Sequence, residues 1–401
     1  MSGARILLLV DCYLPSIKSS AKLVHDLAIE FHRRGHDVIV AAPDDTIDRI
    51  CDIREEEGIT VIRVRTGAIK GAGLVRRFVN EWRLSSVMWA AAKDYFRDHP
   101  CEMILFYSPT IFFSSLVKRL KRAWNCRTYL ILRDIFPQWA VDAGVLKRGS
   151  APHRFLRRAE LRQYAVADLI GVQSPANLDY FQNADVRNAA GTTPLEVLFN
   201  WTATEQVQDA TTLRQKLKLD DKTVFFYGGN IGVAQDMDNV IRLAESMRDQ
   251  CGAHFLLVGD GSETQRLMEL VDSRKLTNVT IHPAVSQQEY LAIVGEFDVG
   301  LITLDHRLRT HNIPGKLLSY LRQGLPILAS INPDNDLRQV IDDAEAGLVC
   351  LNGEDHQFTA NAMRLFEDKE MRRHMGRNAR QLLEQMFSVE IAADRILAHL
   401  D

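Results

Sequence analysis

The residues best suited to chemistry lie in a short stretch near the C-terminal end, Pro314-Gly315-Lys316. Proline fits the first turn of a helix, and Gly324 can supply the left-handed cap that ends it. The start of a helix presents unpaired N–H groups, and Lys316 adds a cation, so the stretch predicts an anion-binding site. The alternative is that Lys316 is a solvated lysine, although a cation is unfavourable at this end of the helix dipole.

Three loops of the C-terminal half accompany this stretch, at residues 228–232, 259–261 and 305–316. Each follows a predicted strand, and the first two are rich in glycine, which lets a backbone approach a phosphate closely. Any one of them is equally explained as a tight strand-to-helix connection. Together they favour a nucleotide site, because ligands of parallel sheets bind beyond the carboxyl ends of the strands. Neither GxGxxG nor GxxxxGK[ST] is present, which argues against dehydrogenases and P-loop NTPases.

The elements that must position these loops alternate between short apolar runs and amphipathic helical segments. This pattern predicts an α/β fold with two doubly wound parallel-sheet domains and a cleft between them. Near residues 191–211 a polar segment interrupts this alternation, which suggests the boundary between the two domains. We predict an N-terminal domain over 1–198, a C-terminal domain over 199–385, and a helix over 386–401 that docks back on the N-terminal domain.

Composition is that of a globular protein, with 46% hydrophobic and 25% charged residues. The six cysteines are scattered without metal-ligand spacing, so we expect reduced thiols and no bound metal. No signal-peptide pattern and no apolar run of spanning length is found, which predicts a cytoplasmic protein.

Charge is unevenly distributed along the chain. Residues 1–200 hold 28 Lys and Arg against 22 Asp and Glu, a net +6, whereas the remainder is net −9. Helical segments of the first half interleave cations with aromatic residues, as in Arg76, Arg77 and Trp82, which suits an anionic membrane surface. Ordinary solvated helix faces are the alternative. Nucleic acid is a weaker candidate, since the basic residues are spread over several helices.

The motifs, taken in order, resemble those of the GT-B glycosyltransferases of family 4. They are Arg133-Asp134-Ile135-Phe136-Pro137, Asn200-Trp201, Tyr227-Gly228-Gly229-Asn230-Ile231-Gly232, Leu257-Val258-Gly259-Asp260-Gly261 and Pro314-Gly315-Lys316 followed by Gly324-Leu325-Pro326. They are most similar to the bacterial branch that transfers N-acetylated amino or deoxyamino sugars, the fucosamine-type enzymes of O-antigen and capsule synthesis. The likeness extends over nearly the whole chain.

This resemblance implies two Rossmann-like domains and a retaining, metal-independent transferase with a UDP-sugar donor and no cofactor. The acceptor would be a glycan on polyprenyl diphosphate at the inner face of the cytoplasmic membrane. The catalytic candidates are Lys316 and Asp134. The donor candidates are Gly229, Asn230, Gly232, Gln235, Gly259, Asp260, Gly261, Arg266, Ala284, Val285, His311, Asn312, Pro314, Gly315 and Ser319. The acceptor or membrane candidates are Ser19, Ser20, Arg76, Arg77, Trp82 and Arg133.

Three positions depart from the family pattern. His311 and Ser319 stand where the family carries two glutamates, and Ser19-Ser20 replaces a glycine pair. Ser319 is expected to hydrogen-bond a ribose hydroxyl without charge assistance, at roughly half the strength. For Asp134, two readings remain open: it orients a hydroxyl in the site, or it caps the next turn or pairs with Arg133.

Three functions are therefore compared. The first is the glycosyltransferase. The second is a catalytically silent GT-B subunit that binds a membrane or a partner, suggested by the absent glutamates. The third, a sugar-nucleotide epimerase on the same fold, ranks last because its acid/base carboxylates and histidine cannot be placed.

Overall fold

The chain forms two compact units in a computed structural model. The model describes residues 3–16, 19–67, 74–142, 144–206, 212–308 and 313–400, with backbone only for residues 19 and 74–77. Unit 1 comprises Met1–Phe199 and Val389–Asp401, and unit 2 comprises Asn200–Ser388. These limits lie within three residues of those expected from the sequence.

Unit 1 is built on one eight-stranded sheet. Its strands are β1 Arg5–Leu9, β2 Asp37–Asp44, β3 Cys51–Glu56, β4 Ile59–Arg65, β5 Met103–Tyr107, β6 Arg127–Leu132, β7 Leu169–Val172 and β8 Leu195–Val197. They are arranged in the order β3-β4-β2-β1-β5-β6-β7-β8, and all neighbours are parallel except β3 and β4. Strands β1 and β5 are almost wholly buried, as expected where helices cover both faces.

The helices of unit 1 are amphipathic and supply the layers that cover this sheet. They are α1 Ser19–Arg33, α2 Leu74–Asp98, α3 Ser114–Trp124, α4 Gln138–Asp142, α5 Ala151–Tyr164 and α6 Ala184–Ala190, with a 3-10 segment over Pro175–Gln182. A last helix, α15 over Val389–Leu397, belongs to the same unit and packs on α1, where Arg34 contacts Asp394 and the carbonyl of Glu390.

Unit 2 contains a six-stranded, all-parallel sheet. Its strands are β9 Thr223–Gly228, β10 Ala253–Val258, β11 Val279–His282, β12 Val299–Thr303, β13 Ile327–Ile331 and β14 Gly347–Leu351. Its helices are α7 Leu213–Lys216, α8 Met237–Ser246, α9 Thr264–Ser273, α10 Gln287–Val294, α11 Lys316–Gln323, α12 Leu337–Asp343, α13 Asp355–Glu367 and α14 Lys369–Leu382, with a 3-10 turn over Val233–Gln235 and a π segment over Leu383–Phe387.

The strand order of unit 2, β11-β10-β9-β12-β13-β14, reverses direction between β9 and β12. The chain first builds the sheet outward from β9 on one side and then returns to build it outward from β12 on the other. The two loops that leave β9 and β12 at their carboxyl ends therefore diverge, and the space between them is where ligands of such sheets bind.

The fold class predicted from the sequence, α/β with two parallel-sheet domains, is confirmed. One element of unit 1 was not anticipated. Strand β3 pairs antiparallel with β4 through a two-residue turn in which Glu57 and Gly58 both have positive φ, at 52° and 78°. Such a turn suits the right-handed twist of the two strands, so a residue pair ending in glycine was the available sequence signal.

Candidate active site

A cavity of about 380 Å³ opens at the reversal point of the unit 2 sheet. The loop after β9 and the loop after β12 form its walls, and the start of α11 forms its floor. Its lining residues are Asn230, Ala234, Gln235, Leu304, Leu308, Ile313, Pro314, Gly315 and Lys316. Five of the predicted donor or catalytic residues are thus brought together: Asn230, Gln235, Pro314, Gly315 and Lys316.

Lys316 is the first residue of α11 and contributes the positive charge in this cavity. Its Nζ lies 3.5 Å from the centroid of the Tyr227 ring, a cation–π contact at the end of β9. Within the described ranges, the ammonium has no carboxylate partner, and the N–H groups of Gly315 and Lys316 find no acceptor. A cation and unpaired helix N–H groups therefore face one cavity, which is the arrangement that the sequence predicted for anion binding, and the binding itself stays a prediction.

Burial controls the charge of this lysine. Removal from water lowers the pKa of Lys316 to about 7, because the protein around the half-buried ammonium offers no compensating negative charge. A bound diphosphate would supply that charge and raise the pKa again. Binding of an anion is therefore expected to be coupled to proton uptake by Lys316 at neutral and alkaline pH.

This coupling gives a pH prediction. Above pH 7 the free site loses its proton while a site occupied by an anion retains it, so the affinity for a diphosphate-containing ligand is expected to fall with rising pH, by at most tenfold per pH unit. Isothermal titration between pH 7 and pH 9 measures the slope. In Lys316→Arg, whose side chain stays charged, the slope should vanish. An equally steep slope in that variant would assign the titration to another group.

The glycines of these loops fall into two groups according to the atoms that a side chain at each position would meet. Gly229 has φ of +131°, and a Cβ there would lie 3.7 Å from Cε of Lys316, so this glycine leaves room beside the cation. By contrast, a Cβ at Gly259 would lie 1.8 Å from the carbonyl oxygen of Gly229, and a Cβ at Gly261 would lie 2.2 Å from that of Ile231. Packing of one loop on the other explains Gly259 and Gly261 without a ligand.

The loop after β9 is held in shape by its own polar groups. The Tyr227 hydroxyl donates to the carbonyl of Asn230 at 2.6 Å, and Nδ2 of Asn230 donates to Oε1 of Gln235 at 3.1 Å. Gly232 fits beneath this pair, since a Cβ there would lie 2.6 Å from Nδ2 of Asn230. The loop therefore presents Asn230 and Gln235 to the cavity in a fixed arrangement.

Four other predicted donor residues lie elsewhere and do not line this cavity. The Asp260 carboxylate accepts from the N–H of Gly261 at 2.7 Å and from the Thr264 hydroxyl at 3.3 Å, which stabilises the start of α9. Arg266 forms ion pairs with Asp238 and Glu263, and these contacts raise the pKa of its guanidinium. The remaining pair, Ala284 and Val285, follows β11 at the sheet edge, separated from β9 by β10.

Ser319 is buried and already engaged. Its hydroxyl donates to the carbonyl of Lys316 at 2.8 Å, so the Tyr290 hydroxyl, 2.9 Å away, must donate to the serine oxygen. The Tyr290 ring lies against Gly228, where a Cβ would approach it to 2.2 Å. The Ser319 hydroxyl therefore has no proton left to donate, and its predicted contact with a ribose could only be one in which its oxygen accepts a hydrogen bond. His311 and Asn312 lie outside the described residues.

In unit 1, Asp134 lies beyond the carboxyl end of β6, close to the reversal point of that sheet between β1 and β5. Ser108 donates to its carbonyl at 3.0 Å, whereas its carboxylate makes no hydrogen bond with any residue that the structure describes. Burial, and next the negative charge of Asp11, raises the pKa of Asp134. Among the described residues the carboxylate makes neither a capping hydrogen bond nor an ion pair with Arg133, although the positive charge of Arg133 partly offsets the rise in its pKa, so its role in a site stays a prediction.

Arg133 has a structural role. Only 6% of it is exposed, and its guanidinium donates to the carbonyls of Leu198 at 2.5 Å and Phe199 at 3.4 Å. These bonds secure the end of the segment that follows β8. A guanidinium buried in this way is not available to a membrane surface, and the prediction that Arg133 contributes to the acceptor site stays a prediction.

The other predicted acceptor or membrane residues lie on α1 and α2. Trp82 is 55% exposed on α2, and its ring packs edge-on against Phe155 of α5. Ser20 is in the first turn of α1, with its hydroxyl 3.2 Å from the sulfur of Cys12. The side chains of Ser19, Arg76 and Arg77 lie outside the described residues.

Two residues near these sites were missed by reasoning from the sequence. Tyr227 supplies both the ring beneath Lys316 and a hydrogen bond to the loop, and its signal was an aromatic residue directly before a glycine pair. Asp11, after β1, comes close enough to Asp134 to affect its pKa, and only the strand order could reveal this.

Two other kinds of feature are absent from the parts of the chain that the structure describes. No group of three or more His, Cys, Asp or Glu side chains is arranged to hold a metal ion. None of the helices combines the length and the apolar character needed to span a lipid bilayer.

Comparison with known proteins bears on the class of this protein. Residues 209–382, most of unit 2, match the family model described as glycosyl transferases group 1. WcaI of Escherichia coli strain K12, a glycosyl transferase attributed to colanic acid biosynthesis, is 24% identical over 75% of this chain and 74% of its own. The alpha-D-kanosaminyltransferase of Streptomyces kanamyceticus is 26% identical over 48% of this chain and 51% of its own.

Solved structures share the fold over the whole chain. Anabaena Alr3699/HepE, crystallised in complex with UDP, aligns over 99% of both chains with a TM-score of 0.68 at 15% identity. WaaG, a glycosyltransferase involved in lipopolysaccharide biosynthesis, aligns over 98% of this chain and 99% of its own with a TM-score of 0.64 at 16% identity. The fold is therefore GT-B, and the matched domain and relatives make the protein a glycosyltransferase.

Proposed function

We propose that this glycosyltransferase moves an N-acetylated amino or deoxyamino sugar from a UDP-sugar to a lipid-linked glycan in surface polysaccharide biosynthesis. Transfer would occur with retention of anomeric configuration and without a bound metal, on the cytoplasmic side of the membrane and in peripheral contact with it. The observation that carries the proposal is Lys316, a cation without a carboxylate partner among the described residues, in a cavity at the reversal point of the sheet.

Comparisons support the donor and the pathway. HepE was crystallised with UDP, WcaI is attributed to colanic acid biosynthesis, and the kanosaminyltransferase is named for its sugar. The amino-sugar donor rests further on the resemblance of Asp134-Ile135-Phe136-Pro137 and Asn200-Trp201 to the fucosamine-type branch. We therefore take UDP as the first nucleotide to test.

The cavity suggests how its residues would act on the donor. The N–H groups of Gly315 and Lys316 and the Lys316 ammonium would bind the diphosphate and stabilise the negative charge that develops as it leaves. The bond from the sugar anomeric carbon to the phosphate oxygen breaks with its electron pair going to UDP, and the acceptor oxygen forms the new bond. The departing phosphate takes the acceptor proton, so no separate base is required.

Asp134 is proposed to orient the acceptor hydroxyl. Asp134→Asn, which keeps the size of the side chain and removes its charge, should lower the transfer rate roughly 100-fold, because misplaced reactants react slowly. UDP binding should be unchanged, since Asp134 belongs to unit 1 and the donor cavity to unit 2. Transfer assays with calorimetric UDP titration check both. Unchanged transfer would leave Asp134 without a role in the reaction.

The proposed function is tested by nucleotide binding and turnover. UDP, GDP, dTDP and ADP at about 1 mM are added separately, and UDP is expected to raise the thermal unfolding midpoint most, since a ligand of the folded state stabilises it by mass action. Candidate UDP-sugars are then incubated with the protein, and release of free UDP is followed.

Each outcome is informative. A shift with UDP together with slow hydrolysis of a UDP-sugar supports the enzyme and eliminates the silent subunit. Absence of any shift across the four nucleotides would overturn the proposed function and leave a silent GT-B protein. A shift with dTDP or GDP alone would overturn the choice of UDP.

A further inference from the structure

Four of the ten most exposed large apolar side chains among the described residues gather on one surface of unit 1. They are Phe78, Val79 and Trp82 of α2 and Phe155 of α5, between 37% and 55% exposed. The rings contact one another, with centroids 5.6 Å apart for Phe78 and Phe155 and 6.4 Å apart for Trp82 and Phe155. Apolar surface concentrated in this way marks a binding site more often than isolated exposed residues do.

Beside these rings lies a cavity of about 330 Å³, which we call the aromatic cavity. Trp82, Ile111, Phe112, Phe155 and Ala159 supply its apolar walls. The cavity is a concave space between α2, α3 and α5, so an apolar chain bound there would be surrounded by side chains on several sides.

A second cavity of about 570 Å³, the cationic cavity, adjoins the first and shares Ser114, Ser115 and Arg162 with it. Lys118, Lys121 and Arg122 supply further positive charge, and no carboxylate is among its lining residues. Lys121 is neutralised by Asp168 at 2.6 Å.

The other cations of the two cavities have no such partner. Lys118, Arg122, Arg158 and Arg162 make no ion pair with any residue in the described ranges. Helix geometry explains their grouping: Ser115, Lys118 and Arg122 share one face of α3, and Phe155, Arg158 and Arg162 share one face of α5. Unneutralised cations on facing helices favour an anionic ligand, and arginine is well suited to phosphate.

We infer that the aromatic and cationic cavities together bind an isoprenoid phosphate or diphosphate, with the hydrocarbon chain among the rings and the phosphate among the cations. The joined cavities match an amphiphile whose apolar and anionic parts are covalently connected, and Arg162 lies where the two parts meet. The inference rests on the proposed function in naming a lipid-linked acceptor. It adds where in unit 1 the lipid and its phosphate are held.

The inference can be tested with a soluble probe, farnesyl diphosphate, titrated calorimetrically into the full chain. The wild type is expected to bind it, and Trp82→Ala and Arg162→Gln are each expected to weaken binding at least tenfold. Arg154→Gln is the matched control, because Arg154 is an exposed arginine of the same helix that lines neither cavity, and its affinity should equal the wild type. Lys316→Met should also leave the affinity unchanged, which excludes binding in the donor cavity.

Titration of inorganic diphosphate into Lys316→Met tests the cationic cavity by itself, because this probe has no hydrocarbon chain and the variant lacks the cation of the donor cavity. The probe should bind more weakly than farnesyl diphosphate and depend on Arg162 but not on Trp82. Equal affinity for the two probes would overturn the apolar half, and equal losses in Arg154→Gln and Arg162→Gln would show non-specific attraction instead of a site.

Two further results would be decisive. Retention on phosphatidylglycerol vesicles through Trp82 and Arg162, without any binding of farnesyl diphosphate, would overturn the lipid cavity in favour of a contact with the membrane surface. Binding of farnesyl diphosphate with no response to any nucleotide would uphold this inference while the proposed transferase fails.

Discussion

Replacing Lys316 by methionine is expected to lower kcat/KM for sugar transfer by about 100- to 1,000-fold, while the thermal unfolding midpoint changes little. The methionine keeps an unbranched apolar stem against the Tyr227 ring, but it removes the charge that would meet the leaving diphosphate. Folding should not suffer, because the ammonium forms no ion pair within the described residues and its burial costs free energy. Initial rates with a UDP-sugar and a thermal melt of the same preparation measure both quantities.

The matched control is Lys369→Met. Lys369 is also the first residue of a helix in unit 2, α14, but it is exposed and does not line the donor cavity. Its replacement should leave kcat/KM unchanged. If Lys316→Met instead melted far below the wild type with full activity in the surviving protein, Lys316 would be a structural residue.

Replacing Gly259 by alanine is expected to destabilise unit 2 by about 3 kcal/mol, equivalent to roughly 6–12 °C in the unfolding midpoint. The new methyl group would lie 1.8 Å from the carbonyl oxygen of Gly229. That carbonyl is part of the backbone, and the loop is held on either side of it, because the N–H of Gly229 donates to the carbonyl of Val258 and the N–H of Ile231 donates to the carbonyl of Asp260, each at 2.9 Å. The loop after β9 must therefore move, and UDP binding should weaken together with stability.

Gly315→Ala is the control for this effect. A Cβ at Gly315 would meet no atom of the described residues within 4 Å, and the residue has ordinary helical angles, with φ of −60°. The unfolding midpoint should stay within the error of the melt. Equal destabilisation by both substitutions would show that loss of glycine flexibility is the cause, in place of the contact between loops.

Much of the fold followed from local patterns. The helix start at Pro314-Gly315 and its end at Gly324, whose φ is +71°, were read from residue types that suit those positions. Such features depend on hydrogen bonds and side chains within a few residues of each other, which the sequence records directly.

The candidate site could be predicted only in part. Lys316 and the loop at 229–232 were found because a cation at a helix start and a glycine-rich turn are local signals. Gly259, Gly261 and Arg266 carried similar signals, yet the structure explains the two glycines by contacts between loops and Arg266 by ion pairs with Asp238 and Glu263. Residue type alone cannot distinguish a glycine that admits a ligand from one that admits another backbone.

The sequence by itself determined the α/β class, the two parallel-sheet domains and the place of Lys316 at the start of a helix, from which anion binding by the Pro314-Gly315-Lys316 stretch was predicted. Tertiary structure alone decided that β9 and β12 are neighbours, that Tyr227 lies beneath the Lys316 ammonium, and that the cations of α3 and α5 face the same cavities. The periodicity of apolar residues indicates which face of a helix or strand is buried, but not which other element packs against that face. That choice comes from packing between residues far apart in the chain, and the free energy of an isolated segment does not contain it.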